Sequence, residues 1–187
     1  MTEYMAEARL LLGGETVVIA RNQDQGATIS GDFAKTSRPC PPFCIHPMQA
    51  APGVETLGEL ELISFLDRYA APGRGVVMDS RLPEWYAKGT IPGAVNVPFA
   101  TLAPSNPYRD QILLALGARS LAGGGFDFSE ALDLALFCNG PWCDQSPRAI
   151  RYLIDAGYPA EKLRYYRGGM QNWLLLGLTV VKPAGQG

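Results

Sequence analysis

The chain has 187 residues, 47% of them apolar and 18% charged, with a net charge of −2. That length suits one compact domain able to bury most of its apolar surface without a metal ion or a disulfide. The charge argues against nucleic acid and anionic membrane as partners, and no apolar run approaches the roughly 20 residues that a membrane span needs.

At the start, Glu3 and Glu7 precede the apolar residues 10–12, with no basic segment and no small-residue cleavage site. No secretory signal is read there, so the expected compartment is the cytoplasm; a truncated start would reopen a periplasmic or exported setting. Residues 1–53 read as an extension. ETVVIA (15–20) is a strand, and GATIS (26–30) is its expected hairpin partner. Residues 36–53 hold five prolines, which rule out a helix or a central strand. They are expected to form an ordered arm anchored by Cys40, Phe43, Cys44, Ile45 and Met48.

A strand–helix alternation follows over 54–182, leaving a tail at 183–187. Thr56 and Glu59 have the spacing of a capping box, with Leu57, Leu60, Ile63 and Leu66 at helical spacing behind them. Strands are expected at 75–80, 94–98, 132–138 and 162–166. Helices are expected at 82–89, 106–117, 146–157 and 168–177. In the third of these, Ser146 is the expected N-cap, Pro147 the first helical residue and Gly157 the exit. The pattern predicts an α/β fold with a mainly parallel sheet covered on both faces. Ligands in such folds bind at the carboxyl ends of strands, which points to Asp79 and Cys138.

Cys138 closes the most apolar strand and is followed by a loop and a helix start. The loop comprises Asn139, Gly140, Pro141, Trp142, Cys143, Asp144 and Gln145, with Ser146 at its end. Successive amides in such a loop form an anion-binding concavity, and the helix N-terminus adds partial positive charge. Both lower a thiol's pKa and favour a thiolate or persulfide anion. Arg148, one turn into the helix, is placed to help hold an anionic sulfur donor.

The segment VVMDSRLPEWYAKGTIPGAVNVPF (76–99), the loop FCNGPWCDQSP and the stretch YRGGMQNWLLLGLTVV (166–181) together resemble the rhodanese homology domain. The resemblance spans about 54–182. It implies a three-layer fold with a five-stranded core sheet and a nucleophile at Cys138. It also implies transfer of sulfane sulfur from a thiosulfate-like anion, through a Cys138 persulfide, to a thiophilic acceptor such as a protein thiol. No cofactor or metal ion is implied. Asp79 and Arg81 match a supporting motif and read best as an ion pair fixing the chain where it leaves the sheet. Thr90 stands where the family's signature has histidine. The loop is about two residues longer than in ordinary sulfurtransferases, as in phosphatase relatives. Those relatives carry an arginine about six residues after the cysteine; here that residue is Asp144, which would repel a phosphate dianion.

Cys143 reads either as a resolving thiol or sulfur acceptor, or as an idle packed thiol. Cys40, Cys44 and His46 form C-x3-C-x-H, which fits no standard zinc spacing. A local disulfide or redox pair, a metal site and plain packing all remain open for it. His46 is the one histidine, so a His-based triad is excluded. Two competing functions stand beside sulfur transfer: a thiol–disulfide redox protein using Cys138 and Cys143, and a non-catalytic module that binds a partner.

Overall fold

The computed structural model describes residues 1–183; of the expected tail, 184–187 lie outside the described residues. The chain opens with β1 (Glu7–Leu12) and β2 (Glu15–Ala20), an antiparallel pair in register from Glu7–Ala20 to Leu12–Glu15. The expected partner at 26–30 is therefore wrong. The turn is Gly13–Gly14, both at positive φ (59° and 86°), and two such residues are what a tight two-residue hairpin turn needs.

Then come β3 (Glu55–Leu57), α1 (Glu59–Phe65), β4 (Gly75–Asp79), α2 (Pro83–Tyr86), β5 (Ala94–Asn96) and α3 (Arg109–Ala115). A short pair follows, β6 (Arg119–Ser120) and β7 (Phe126–Asp127), and then β8 (Asp133–Phe137), α4 (Gln145–Asp155), β9 (Leu163–Tyr166) and α5 (Gly169–Leu175). β3, β9, β8, β4 and β5 lie side by side in that order as one parallel sheet.

Side chains alternate across this sheet, and both faces are buried. Leu134, Leu136, Met78, Leu163 and Tyr165 face α3 and α4, packing with Leu113, Ala149, Ile150 and Leu153. Ala135, Phe137, Val77 and Tyr166 face α1 and α5, with Leu62, Phe65, Met170 and Trp173. Burying a side chain such as Leu153 stabilises the fold by about 1.5–3 kcal/mol. Trp173 satisfies its indole N–H by donating to Thr179 O at 2.8 Å. The hairpin belongs to the α1/α5 face, where Ala8, Leu10 and Ile19 join its core.

The capping box does not form. Thr56 is in β3 and its hydroxyl donates to Met48 O, while Gly58 is the N-cap of α1 and Glu59 accepts from the Tyr166 hydroxyl at 2.9 Å. Pairing with β9 at one edge of the sheet takes Thr56 and Leu57 away from the helix. The arm is ordered, by only part of the expected apolar anchoring: Phe43 packs edge-on against Trp142, whereas Ile45 and Met48 are exposed (81% and 64%). Polar contacts hold the arm as well: His46 N–H donates to Pro141 O (2.8 Å), and Arg167 donates twice to His46 O (3.0 and 2.8 Å). Among the described residues, no helix is long and apolar enough to cross a membrane.

The sheet order fixes where a site can form. From β4 the chain runs outward to β5, whereas from β8 it runs the other way to β9. The carboxyl ends of β4 and β8 thus flank a switch point, the place where open α/β sheets leave a crevice.

Candidate active site at the end of the central strand

β8 ends at Phe137, and Cys138 is the first residue of the loop leading into α4. The start of α5 shapes this loop from behind. Met170 N–H donates to Cys138 O (3.0 Å) and Gln171 N–H to Asn139 O (2.9 Å). With those carbonyls tied back, the loop turns at Gly140, whose carbonyl accepts from Cys143 N–H at 2.9 Å. The close approach needs Gly169, which has φ +57°; a Cβ there would strike Cys138 O and sit 2.7 Å from Gly140 N.

Cys138 is 2% exposed. Ser146 Oγ donates to its sulfur at 3.1 Å. When protonated, the Cys138 thiol has Cys143 O as acceptor, 3.2 Å away. Burial raises its pKa, but the neighbouring Cys143 side chain, the Ser146 hydroxyl and the backbone at Ser146 and Gly140 outweigh that and hold it below the ordinary thiol value. Cys143 moves the opposite way: the Cys138 sulfur beside it, together with burial, pushes its thiol well above the usual range. One sulfur is favoured as the anion and the other as the neutral thiol.

Ser146 departs from expectation in a useful way. Asp144 takes the N-cap position, without a side-chain cap bond, and Ser146 lies inside the first turn of α4, fully buried. Its hydroxyl serves the sulfur instead of the helix. Arg148 makes no hydrogen bond to Cys138; its guanidinium pairs with the cleft residue Asp144 at 3.5 Å and lies 4.6 Å over the Phe99 ring. Asp79 and Arg81 are completely buried and grip each other at 2.8 and 2.5 Å. Arg81 also donates to Gly89 O (2.7 Å), and Thr90 Oγ1 to Asp79 (2.8 Å). This network fixes the chain leaving β4 and makes no hydrogen bond to Cys138.

Cys143, Asn139, Trp142, Asp144 and Gln145 line a cleft of about 520 Å³, whose other wall is Phe43, Leu82, Trp85 and the arm's Arg38. Cys138 does not reach it. Trp142 is the platform on which the arm rests: Arg38 stacks 3.7 Å above it, Phe43 meets it edge-on at 5.7 Å, and its N–H donates to Gln171 Oε1. Pro141 contributes only its carbonyl, to His46. Cys40 and Cys44 form a disulfide in the arm, so neither sulfur serves as a thiolate ligand here.

Gln171, Gly169 and Arg167 were not singled out as site residues. The Gly-Gly-x-x-x-Trp stretch carries them, and its position just after a strand adjoining β8 was the available signal.

A model of the Rhodanese-like domain matches residues 62–176. The chain belongs to the rhodanese-like domain family. This rhodanese-like domain is 33% identical, over 117 residues, to the HTH-type transcriptional regulator Rv0324 of Mycobacterium tuberculosis. The match takes in 62% of the chain but 42% of that protein, so the chain spans less than half of that curated relative. Among solved structures, its fold is similar to that of a Rhodopseudomonas palustris protein of unknown function, described as a possible tyrosine phosphatase. The TM-score is 0.50 at 22% identity, over 71% of this chain and 88% of that one. A human single-domain sulfurtransferase is 27% identical with a TM-score of 0.43, over 65% of this chain and 96% of that one.

Proposed function

We propose that this rhodanese-like domain is a sulfurtransferase or persulfide carrier, with Cys138 as the nucleophile. Its strongest support is the setting of the Cys138 sulfur beside the N-terminus of α4: the Ser146 hydroxyl donates to it at 3.1 Å, and Cys143, Ser146 and Gly140 around it favour the anion. A hydrogen bond to a charged group stabilises by about 1.5–3 kcal/mol, which is enough in combination to offset the burial of a lone thiolate.

In the proposed cycle the Cys138 thiolate attacks the outer sulfur of a thiosulfate-like anion. The donor's S–S bond breaks, sulfite leaves with the electron pair, and Cys138 carries the sulfur as a persulfide. The loop amides that held the thiolate then face the longer anion. An acceptor thiolate attacks the terminal sulfur, and Cys138 leaves as thiolate again. Donor and acceptor approach from the cleft past Cys143. The side chain that donates to the Cys138 sulfur is that of Ser146, so the cycle needs no histidine. A phosphatase reading fits less well, because Asp144 puts a carboxylate in the cleft wall where a phosphate dianion would have to lie.

The test is intact mass after exposure to thiosulfate and to 3-mercaptopyruvate. A gain of one sulfur in the wild type, absent from Cys138→Ser, supports the proposal. No gain with either donor would leave the thiol–disulfide and binding-module readings in its place.

A further inference from the structure

Cys143 favours the Cys138 anion, and its place between that residue and the cleft suits it to act on a persulfide as well. It is 5% exposed and lines the cleft, whereas Cys138 lies behind it. Its sulfur lies 3.7 Å from Gln145 Oε1, and its carbonyl oxygen 3.2 Å from the Cys138 sulfur. A turn closed by Cys143 N–H donating to Gly140 O (2.9 Å) folds the loop back so that the two residues, five apart in sequence, lie against each other. Both cysteines are free and buried. Two such cysteines packed in one tight loop, one of them carrying a persulfide, are a reacting pair.

We infer that Cys143 resolves the Cys138 persulfide and releases its outer sulfur as sulfide. The step rests on the persulfide reading above. Cys143 gives its proton to the terminal sulfur, and the resulting thiolate attacks the inner sulfur, that of Cys138. A Cys138–Cys143 disulfide forms, the persulfide S–S bond breaks, and HS⁻ departs with the electron pair. The sulfane sulfur is reduced to sulfide and the two cysteines are oxidised to the disulfide. A further turnover requires an external dithiol, which reduces this disulfide by exchange and is itself oxidised. The chain then acts as a sulfane-sulfur reductase, with a dithiol protein or small dithiol as its electron source.

Why attack should be fast is a matter of placement. The Cys138 sulfur already lies 3.2 Å from the Cys143 carbonyl oxygen, so the reaction is intramolecular between residues in contact, and the loss of Cys143 should slow sulfide release by about a hundredfold or more. The experiment loads the full chain with thiosulfate in the absence of any added thiol. It follows sulfide with a selective electrode and the protein by intact mass and peptide mapping. In the wild type, sulfide should appear in step with a loss of two hydrogens mapped to Cys138 and Cys143. Cys143→Ser, with Cys143→Ala as a second variant, should load more slowly because Cys143 favours the Cys138 anion, but should then accumulate Cys138 carrying one extra sulfur and release sulfide at least about a hundredfold more slowly per loaded protein. A wild type that keeps its persulfide, or a Cys143 variant that releases sulfide as fast as the wild type, overturns the inference but leaves sulfur loading intact. Failure of the wild type and both Cys143 variants to take up sulfur overturns both readings.

Discussion

Cys40 and Cys44 stand four residues apart, and Cys138 and Cys143 stand five apart. Spacing does not distinguish the two pairs; surroundings do. The first pair sits in an arm where Cys40 is exposed and Cys44 half-buried, joined as a disulfide with no titrating sulfur. The second is buried between a central strand and a helix start, remains as free thiols, and has the Ser146 hydroxyl turned toward one of its sulfurs. Chemistry at sulfur follows from what the backbone and its neighbours offer, and only the second pair is given an anion site.

Several variants would break or sharpen that contrast. The largest expected effect is Cys138→Ser, which should reduce sulfur loading to background in an intact-mass assay while Cys40→Ser/Cys44→Ser still loads. Next is Gly169→Ala. It adds a Cβ against Cys138 O at a residue with φ +57°, and should lower stability by about 1–3 kcal/mol in thermal unfolding and loosen the loop. Ser146→Ala removes one donor to the anion, which should cut the loading rate at neutral pH by about tenfold. Its pH profile should also move. Because the folded-state pKa of Cys138 is lowered, the thiolate persists as pH falls until that lowered value is passed, and the variant should lose activity at a higher pH than the wild type. By the same sign, the shift adds stability above the ordinary thiol pKa that fades as pH falls through the lowered one. Opening the arm disulfide closes only a short loop in reverse, so Cys40→Ser/Cys44→Ser should cost at most about 2 kcal/mol by thermal melting. Arg148→Ala should do least: its pair with Asp144 is exposed at 41% and 44%, worth under about 1 kcal/mol, and sulfur loading should not change.

Much of the framework was legible because it is written in periodic apolar residues. The strands of 75–80 and 132–138 and the helices of 106–117 and 146–157 formed at or within a few residues of their expected limits, since buried parallel strands and amphipathic helices leave clear patterns. What misled was local polar chemistry. Thr56 and Ser146 both look like helix caps, but tertiary partners claim them: Met48 O and the edge of the sheet for one, the Cys138 sulfur for the other. The arm's apolar residues suggested anchors; Phe43 packs on Trp142, but Ile45 and Met48 lie exposed, and backbone hydrogen bonds to Pro141 and Arg167 hold the arm as well. Arg148 stands one turn into the helix that follows the loop, and its side chain is directed to Asp144 and Phe99. The dipeptide Gly13–Gly14 was a hairpin signal within the opening residues, overlooked in favour of a later partner.

The most direct measurement is the ultraviolet thiolate absorbance of the reduced protein as a function of pH, taken as the difference between wild type and Cys138→Ser. A difference that titrates below the ordinary thiol value of 9.0, and moves upward in Ser146→Ala, is the predicted result. A Cys138 signal that appears only at or above that value would mean the groups around the sulfur do not make it anionic, and would contradict the account.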